Sequence, residues 1–239
     1  MSRNPHQVTK DFEAAIGEYT GAPHVVCVNS CTMAILLAVA WHLRDEPNPH
    51  NLMRPTPRIP LGPNGWQEVR QAQIEIPKRT YVSVPMAIIH AGGWPIFLDE
   101  EWLGFYRLSP LPVWDSARWF TADIFNIVAR RRTPGPDEQM GSGMVCVSFH
   151  ASKTLGLEQG GAILLDDPEA DAWLRRARFD GRTEGVAPKD DTFTQIGWHC
   201  YLNPSTAAQG ILRLHSLPRR NAPLPNDPYP DLSTMEIFK

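Results

Sequence analysis

The chain has 239 residues, 42% of them hydrophobic, and a formal net charge of -3. That is enough to bury the core of one large domain or two small ones, and the near-neutral balance gives no sequence-independent pull toward nucleic acid or anionic membrane. The start "MSRNPHQVTKDFEAA" lacks the apolar core of a signal peptide, no apolar run approaches the ~20 residues of a membrane span, and cysteines 27, 31, 146 and 200 read as reduced thiols rather than a disulfide framework, so a soluble cytoplasmic protein is expected.

In chain order, "VTKDFEAAIGEYTG" carries apolar residues at 8, 12, 15, 16 and 19, the spacing of one helix face, and Gly21 supplies its stop. "HVVCVN" reads as a short buried strand. "SCTMAILLAVAWHL" reads as an apolar helix with Ser30 or Thr32 placed to cap it. Residues 44–66, rich in Pro, Asn and Gly, read as loop. "AQIEIP" is strand-like, and "YVSVPMAIIHAGG" reads as a helix with Pro85 in its first turn. "WPIFLD" and "LPVWDS" are strand candidates, the second ending at Asp115. "RWFTADIFNIVAR" reads as helix and "RRRTPGPDEQMGSG" as loop. "MVCVSF" and "GGAILLD" are strands flanking "HASKTLGLEQ". "PEADAWLRRARFDG" and "NPSTAAQGILRLHSL" are the last helices.

Strands alternating with helices predict an α/β fold with a largely parallel sheet between helices. Residues 1–217 are read as one domain. Residues 218–239, rich in proline and without periodicity, are read as a tail, mobile or draped over a neighbour. Ligands of such sheets sit outside the carboxyl ends of strands. Asn29–Thr32, Asp115 and the segment after Phe149 all fall there and could share one crevice.

Lys153 lies between a strand and a glycine pair, with Ser148 five residues before it. Taken alone it fits an exposed surface loop. A lysine that attacks an aldehyde must instead be partly deprotonated, which burial and a nearby cation favour. Two other signals carry less. His24, Cys27 and Cys31 lack a second ligand pair, so no metal site is expected. "SKT" at 152–154 lacks the glycine a phosphate loop needs before its lysine.

"SFHASKTLGLEQGGAILLDD" resembles the S-F-H-x-x-K-x-L…(E/Q)-G-G-A segment of the DegT/DnrJ/EryC1/StrS family of pyridoxal-phosphate (PLP) sugar aminotransferases. "FEAAIGEYTGAPHVVCVNSCTMAILLAV", "IEIPKRTYVSVPMAIIHAGGWPIFLD", "VWDSAR", "RRARFDG" and "GWHCYLNPSTAAQGILRL" are similar to further blocks of that family, in the right order over about residues 10–215. The resemblance implies the PLP fold-type-I large domain, with a seven-stranded sheet and the small C-terminal domain largely missing. It implies Lys153 as the Schiff-base lysine and proton carrier. Ser30, Cys31, Thr32 and Ser148 would hold the PLP phosphate, a dianion suited to a helix start. Tyr81 would lie on the ring, although by itself it also fits a partly buried core tyrosine. Asp115 would pair with the ring nitrogen, although a strand-end aspartate also fits a helix cap.

The chain also departs from the family. Family members are longer, so a shortened member with a more open site is expected. Arg118 stands at a Gln/His position near the PLP hydroxyl. Cys31 replaces a glycine, and His199 an asparagine that reaches the partner subunit's phosphate. A homodimer with shared sites is implied. The expected activity is transfer of an amino group from an amino-acid donor to a keto acceptor, a nucleotide-linked sugar or related nucleotide compound. The alternatives are a PLP-dependent lyase or decarboxylase, and a non-catalytic interaction module. No nucleic-acid or membrane partner is expected, although the basic run at 130–132 could meet a phosphate.

Overall fold

The computed structural model describes residues 6–44, 72–129 and 143–239. The loops expected over 44–66 and 130–143, with the basic run, fall almost wholly outside them. The elements are α1 (Gln7–Thr20), β1 (His24–Val28), α2 (Cys31–Leu43), β2 (Gln73–Pro77), α3 (Ser83–His90), β3 (Trp94–Leu98), β4 (Tyr106–Arg107), β5 (Val113–Asp115), α4 (Ile124–Val128), β6 (Met144–Ser148), β7 (Gly161–Leu165), α5 (Pro168–Ala177) and α6 (Pro204–Ser216).

Five strands form one sheet in the order β1-β7-β6-β5-β4. The parallel pair β2–β3 joins it through Glu75 and Ser109, whose backbones exchange hydrogen bonds of 2.7 and 3.1 Å. The α/β class and the seven strands are as expected, and the strand directions are mixed. β5 and β6 run parallel, whereas β4–β5, β6–β7 and β1–β7 run antiparallel. A short connection explains one of these pairs, β4–β5: strands joined by so short a loop return antiparallel. The strand β4 was not foreseen, because two residues are too few to show alternation.

Helices cover both faces. Val26, Val28, Cys146, Ile163 and Leu165 share one core with α2, α3 and α5. Val25, Cys27, Val145, Val147 and Leu164 share the other with α1, α4 and α6. Neighbouring strand residues thus enter opposite cores, which is why these strands read as unbroken apolar runs. The helix α2 is apolar all round and buried along most of its length, as a central helix must be. Each fully buried aliphatic side chain contributes ~1.5–3 kcal/mol.

Local chemistry sets the helix ends. Ser30 Oγ accepts from Met33 N at 3.2 Å at the start of α2. Asp167 Oδ1 accepts from Glu169 N and Ala170 N before α5, and Asn203 Oδ1 from Ser205 N before α6. One polar cluster ties α1, β1 and α5 together. Glu13 is 5% exposed, accepts from Cys27 N at 2.9 Å, and pairs with Arg175 at 2.7 Å and with the buried Arg178. Burial alone would raise the Glu13 carboxyl, yet the two arginines hold it below the usual carboxylate range.

Two segments differ from expectation, and they explain each other. The helix expected over 118–130 shrinks to Ile124–Val128. Its first residues bond instead to the C-terminal segment: Ala122 N to Arg219 O at 2.9 Å, Trp119 Nε1 to Asn221 O at 2.8 Å, and Leu224 N to Arg118 O at 2.8 Å. The segment 218–239 is therefore seated on its own chain. Leu232 N reaches Lys78 O at 2.9 Å, and Leu232 and Phe238 are buried.

Candidate active site

The carboxyl ends of β1, β2, β5 and β6 converge on a cavity of about 540 Å³. That lies within the range of small-molecule sites, ~300–1,000 Å³. Ser30, Cys31, Thr32, Tyr81, Asp115, Arg118, Ser148 and Lys153 all line it. His199 does not. It is exposed and its Nδ1 lies 2.8 Å from Asp180 Oδ2.

The loop that carries Lys153 is not a free surface loop. Phe149, Leu155 and Leu157 are buried in the core beneath α1 and α6. Phe149 N bonds to Gly160 O, Leu157 N to Phe149 O and Lys153 N to His150 O, at 2.8–2.9 Å. Three apolar anchors and a closed backbone therefore hold the amine at the cavity wall. Burial lowers the Lys153 pKa, and the Arg118 guanidinium lowers it further, against the pull of Asp115 and Asp227. The amine is thereby moved toward its nucleophilic, neutral form.

The glycine pair has a steric cause. A Cβ on Gly161 would lie 2.6 Å from Cys31 N and 2.7 Å from Ser30 C. Only glycine lets β7 pass this close to the start of α2. The α2 N-terminus and its hydroxyls thereby face the cavity. Thr32 Oγ1 and Ser83 Oγ lie 2.8 Å apart there.

Asp115 closes the opposite wall and is 5% exposed. Its Oδ1 accepts from Ala117 N at 2.8 Å and its Oδ2 from Tyr106 OH at 2.9 Å. The first bond is the local cap that the sequence allowed. Each carboxylate oxygen has room for a further donor. Burial raises the Asp115 pKa, opposed by these two bonds and by Lys153. Tyr106 is fixed in turn by Thr80 Oγ1 at 2.7 Å. The hairpin β4–β5 sets Tyr106 directly opposite Asp115.

Tyr81 is 59% exposed, a cavity-rim residue rather than a core tyrosine. Arg118 is nearly buried and engages the C-terminal segment. Nη1 donates to Asp227 Oδ2 at 2.7 Å and to Tyr229 OH at 3.3 Å, and Nη2 donates to Pro225 O. Tyr229 stacks on Trp102, with ring centroids 6.3 Å apart and planes 12° from parallel. Sequence reasoning missed Thr80, Trp102, Tyr106, Asp227 and Tyr229. The last two sit in a stretch whose prolines signal irregular backbone but not its seat. The described residues hold no group of three or more His, Cys, Asp and Glu that could bind a metal. None of their helices is long and apolar enough to cross a membrane.

Fold and cavity together define an α/β domain of the PLP fold-type-I large-domain kind, with a lysine facing a buried carboxylate. The model of the DegT/DnrJ/EryC1/StrS aminotransferase family matches residues 3–46 and 137–223, and the chain belongs to that family. Tyr81, Asp115 and Arg118 lie outside the matched stretches, so their place in the cavity is a structural finding. No curated protein matches the chain. Among solved structures, it is similar to the sugar aminotransferase CalS13 from Micromonospora echinospora, with 19% identity and a TM-score of 0.61, covering 87% of this chain and 60% of that one. It is also similar to AtS13 from Actinomadura melliaura, with 18% identity and a TM-score of 0.60, covering 88% and 60%. For DesV from S. venezuelae, solved with a ketimine intermediate, the values are 22%, 0.56, 87% and 56%. The chain thus spans less than two thirds of the length of these proteins.

Proposed function

We propose that the chain is a PLP-dependent aminotransferase that moves an amino group from an amino-acid donor to a keto acceptor. One observation carries the reading: a single cavity joins the half-buried Lys153, the buried Asp115 and the start of α2. The residues fit the cofactor. The N–H groups of the first α2 turn, with Ser30, Thr32 and Ser148, suit a phosphate dianion. Asp115 retains an acceptor position for a protonated ring nitrogen, and Tyr81 offers a ring face.

When bound, PLP supplies the electron sink that makes a donor's α-hydrogen removable. Lys153 Nζ, whose pKa burial lowers, would hold the cofactor aldehyde until the donor's amine displaces it, and the freed amine would then carry the proton from the α-carbon. Asp115 keeps the proton on the ring nitrogen, and Tyr106 and Ala117 hold that carboxylate in place. The C-terminal segment excludes water from one side of the cavity.

The similarity to the sugar aminotransferase CalS13, and to DesI, solved in the presence of its TDP-sugar product, supports a nucleotide-linked sugar bearing the keto group. His199, exposed and outside the cavity, is open to a second copy of the chain. This supports a homodimer in which each copy completes the other's phosphate site. The test is spectroscopic. The full chain mixed with PLP should turn yellow, and L-glutamate should bleach it. The Lys153→Ala variant should form no lysine-bound colour; an unchanged spectrum in that variant overturns the reading.

A further inference from the structure

Arg118 has a set of partners that a purely structural arginine does not need. Its side chain is 9% exposed, and it lines the cavity that holds Lys153. Nη1 is held by one oxygen of Asp227, whose own side chain is 63% exposed, and by Tyr229 OH. Nη2 is held by the Pro225 carbonyl. Nε is buried with no hydrogen-bond partner. The guanidinium is thus only partly satisfied, by a single-oxygen ion pair and a main-chain oxygen.

A free carboxylate can do better. Arginine presents parallel N–H donors that match both oxygens of one carboxylate, and such two-point pairs are stronger than one-point pairs. Asp227 competes through one oxygen only, from a side chain that is itself 63% exposed, so a two-point carboxylate can displace it. The same cavity places the Lys153 amine beside this pair: both Arg118 and Asp227 act electrostatically on it. An amine-reacting group next to a carboxylate-ready guanidinium is the pattern an α-amino acid requires.

Resting on the aminotransferase reading above, we propose that Arg118 is the recognition residue for the carboxylate of the amino-acid donor. Asp227, from the chain's own C-terminal segment, fills that place until the donor displaces it. The segment then has two states. With the cavity empty, Asp227 and Tyr229 hold 223–229 across Arg118. With a carboxylate bound, Arg118 turns its fork to the ligand and the 225–229 stretch loses its ties to Arg118, while Asn226 Nδ2 still donates to Trp102 O at 2.6 Å and Tyr229 still packs on Trp102. Pro225 O loses its donor at the same time, so the release spans several residues rather than one side chain.

The probe is glutarate, a dicarboxylate without an amine, titrated calorimetrically into the full-length chain with PLP present. Asp227→Asn should tighten glutarate binding by at least about two- to fivefold, the size of even a solvent-exposed ion pair removed as competitor. Arg118→Gln should weaken it by at least about tenfold, as expected for losing a charged hydrogen-bond donor. In the wild-type chain, glutarate should speed amide hydrogen exchange across residues 224–232. Equal affinity in the wild-type and Asp227→Asn chains overturns the proposal, as does a segment whose exchange glutarate leaves unchanged. The yellow colour is a separate readout. If it fails to form, the aminotransferase reading fails, while the affinity series still decides the role of Arg118.

Discussion

Asp115 shows how one side chain can serve both fold and chemistry. One of its oxygens caps the turn after β5 through Ala117 N, and the other is held by Tyr106 OH. Replacing Asp115 with Asn keeps the size and most of the hydrogen bonding but removes the charge. The Asp115→Asn variant should still bind PLP. Its turnover should fall by ~10²-fold, the lower end of what a positioned proton-transfer group contributes. Full turnover in a steady-state assay would show that the carboxylate is only a cap. Position placed Ser30 at a helix start and Lys153 and Asp115 near strand ends, but the roles expected of Lys153 and Asp115 came from the family resemblance, since each alone also fits a surface loop or a cap. Tyr106 was not legible, because its role depends on a cross-strand partner nine residues away in a two-residue strand.

At the scale of elements, the cavity depends on how closely β7 approaches the first turn of α2. The Gly161→Ala variant puts a methyl group into backbone atoms at 2.6–2.9 Å. It should cost ~1–3 kcal/mol, as overpacking does, and it should weaken PLP binding by tilting the α2 N-terminus. Chemical denaturation and PLP titration check both. Helices with full periodicity, such as α1 and α6, are where the sequence expects them to within a residue or two, and α5 starts as expected at Pro168 but ends at Ala177, three residues before its glycine stop would place it. The segment 118–130 carries apolar residues and no internal breaker, so local rules favour helix. What overrides them is pairing with residues 219–224, about a hundred positions along the chain. Local propensity contains no trace of such a partner.

For the whole molecule, the half-buried His42 and the buried Glu13 both contribute to the response to acid. His42 lies near the end of α2, and burial, then Arg44, depresses its pKa to about 4. Its ordinary value is ~6.5. The unfolded chain therefore takes up that proton before the folded one does, and stability falls as pH drops from about 6.5 toward 4. Glu13, held below the carboxylate range by Arg178 and Arg175 despite its burial, adds a loss of the same sign at lower pH. The unfolding midpoint should thus fall between pH 7 and pH 5. The His42→Gln variant should flatten that slope; an unaltered slope would move the acid sensitivity elsewhere. The α/β architecture was legible because both sheet faces bury their side chains and so leave continuous apolar strands. The seat of residues 218–239 was not, because proline-rich backbone gains its order from what it lies on.

That seat has a consequence for biosynthesis. The Arg118 guanidinium, the Trp119 indole and the Ala122 amide find partners in residues 219–229. On the ribosome, the sheet and most helices can therefore form while the donors around Arg118 wait, hydrated, for residues 219–229 to emerge. The surroundings of Arg118 are thus completed about a hundred residues after Arg118 itself is made, and a message that stops before residue 219 would yield a folded shell with an open mouth.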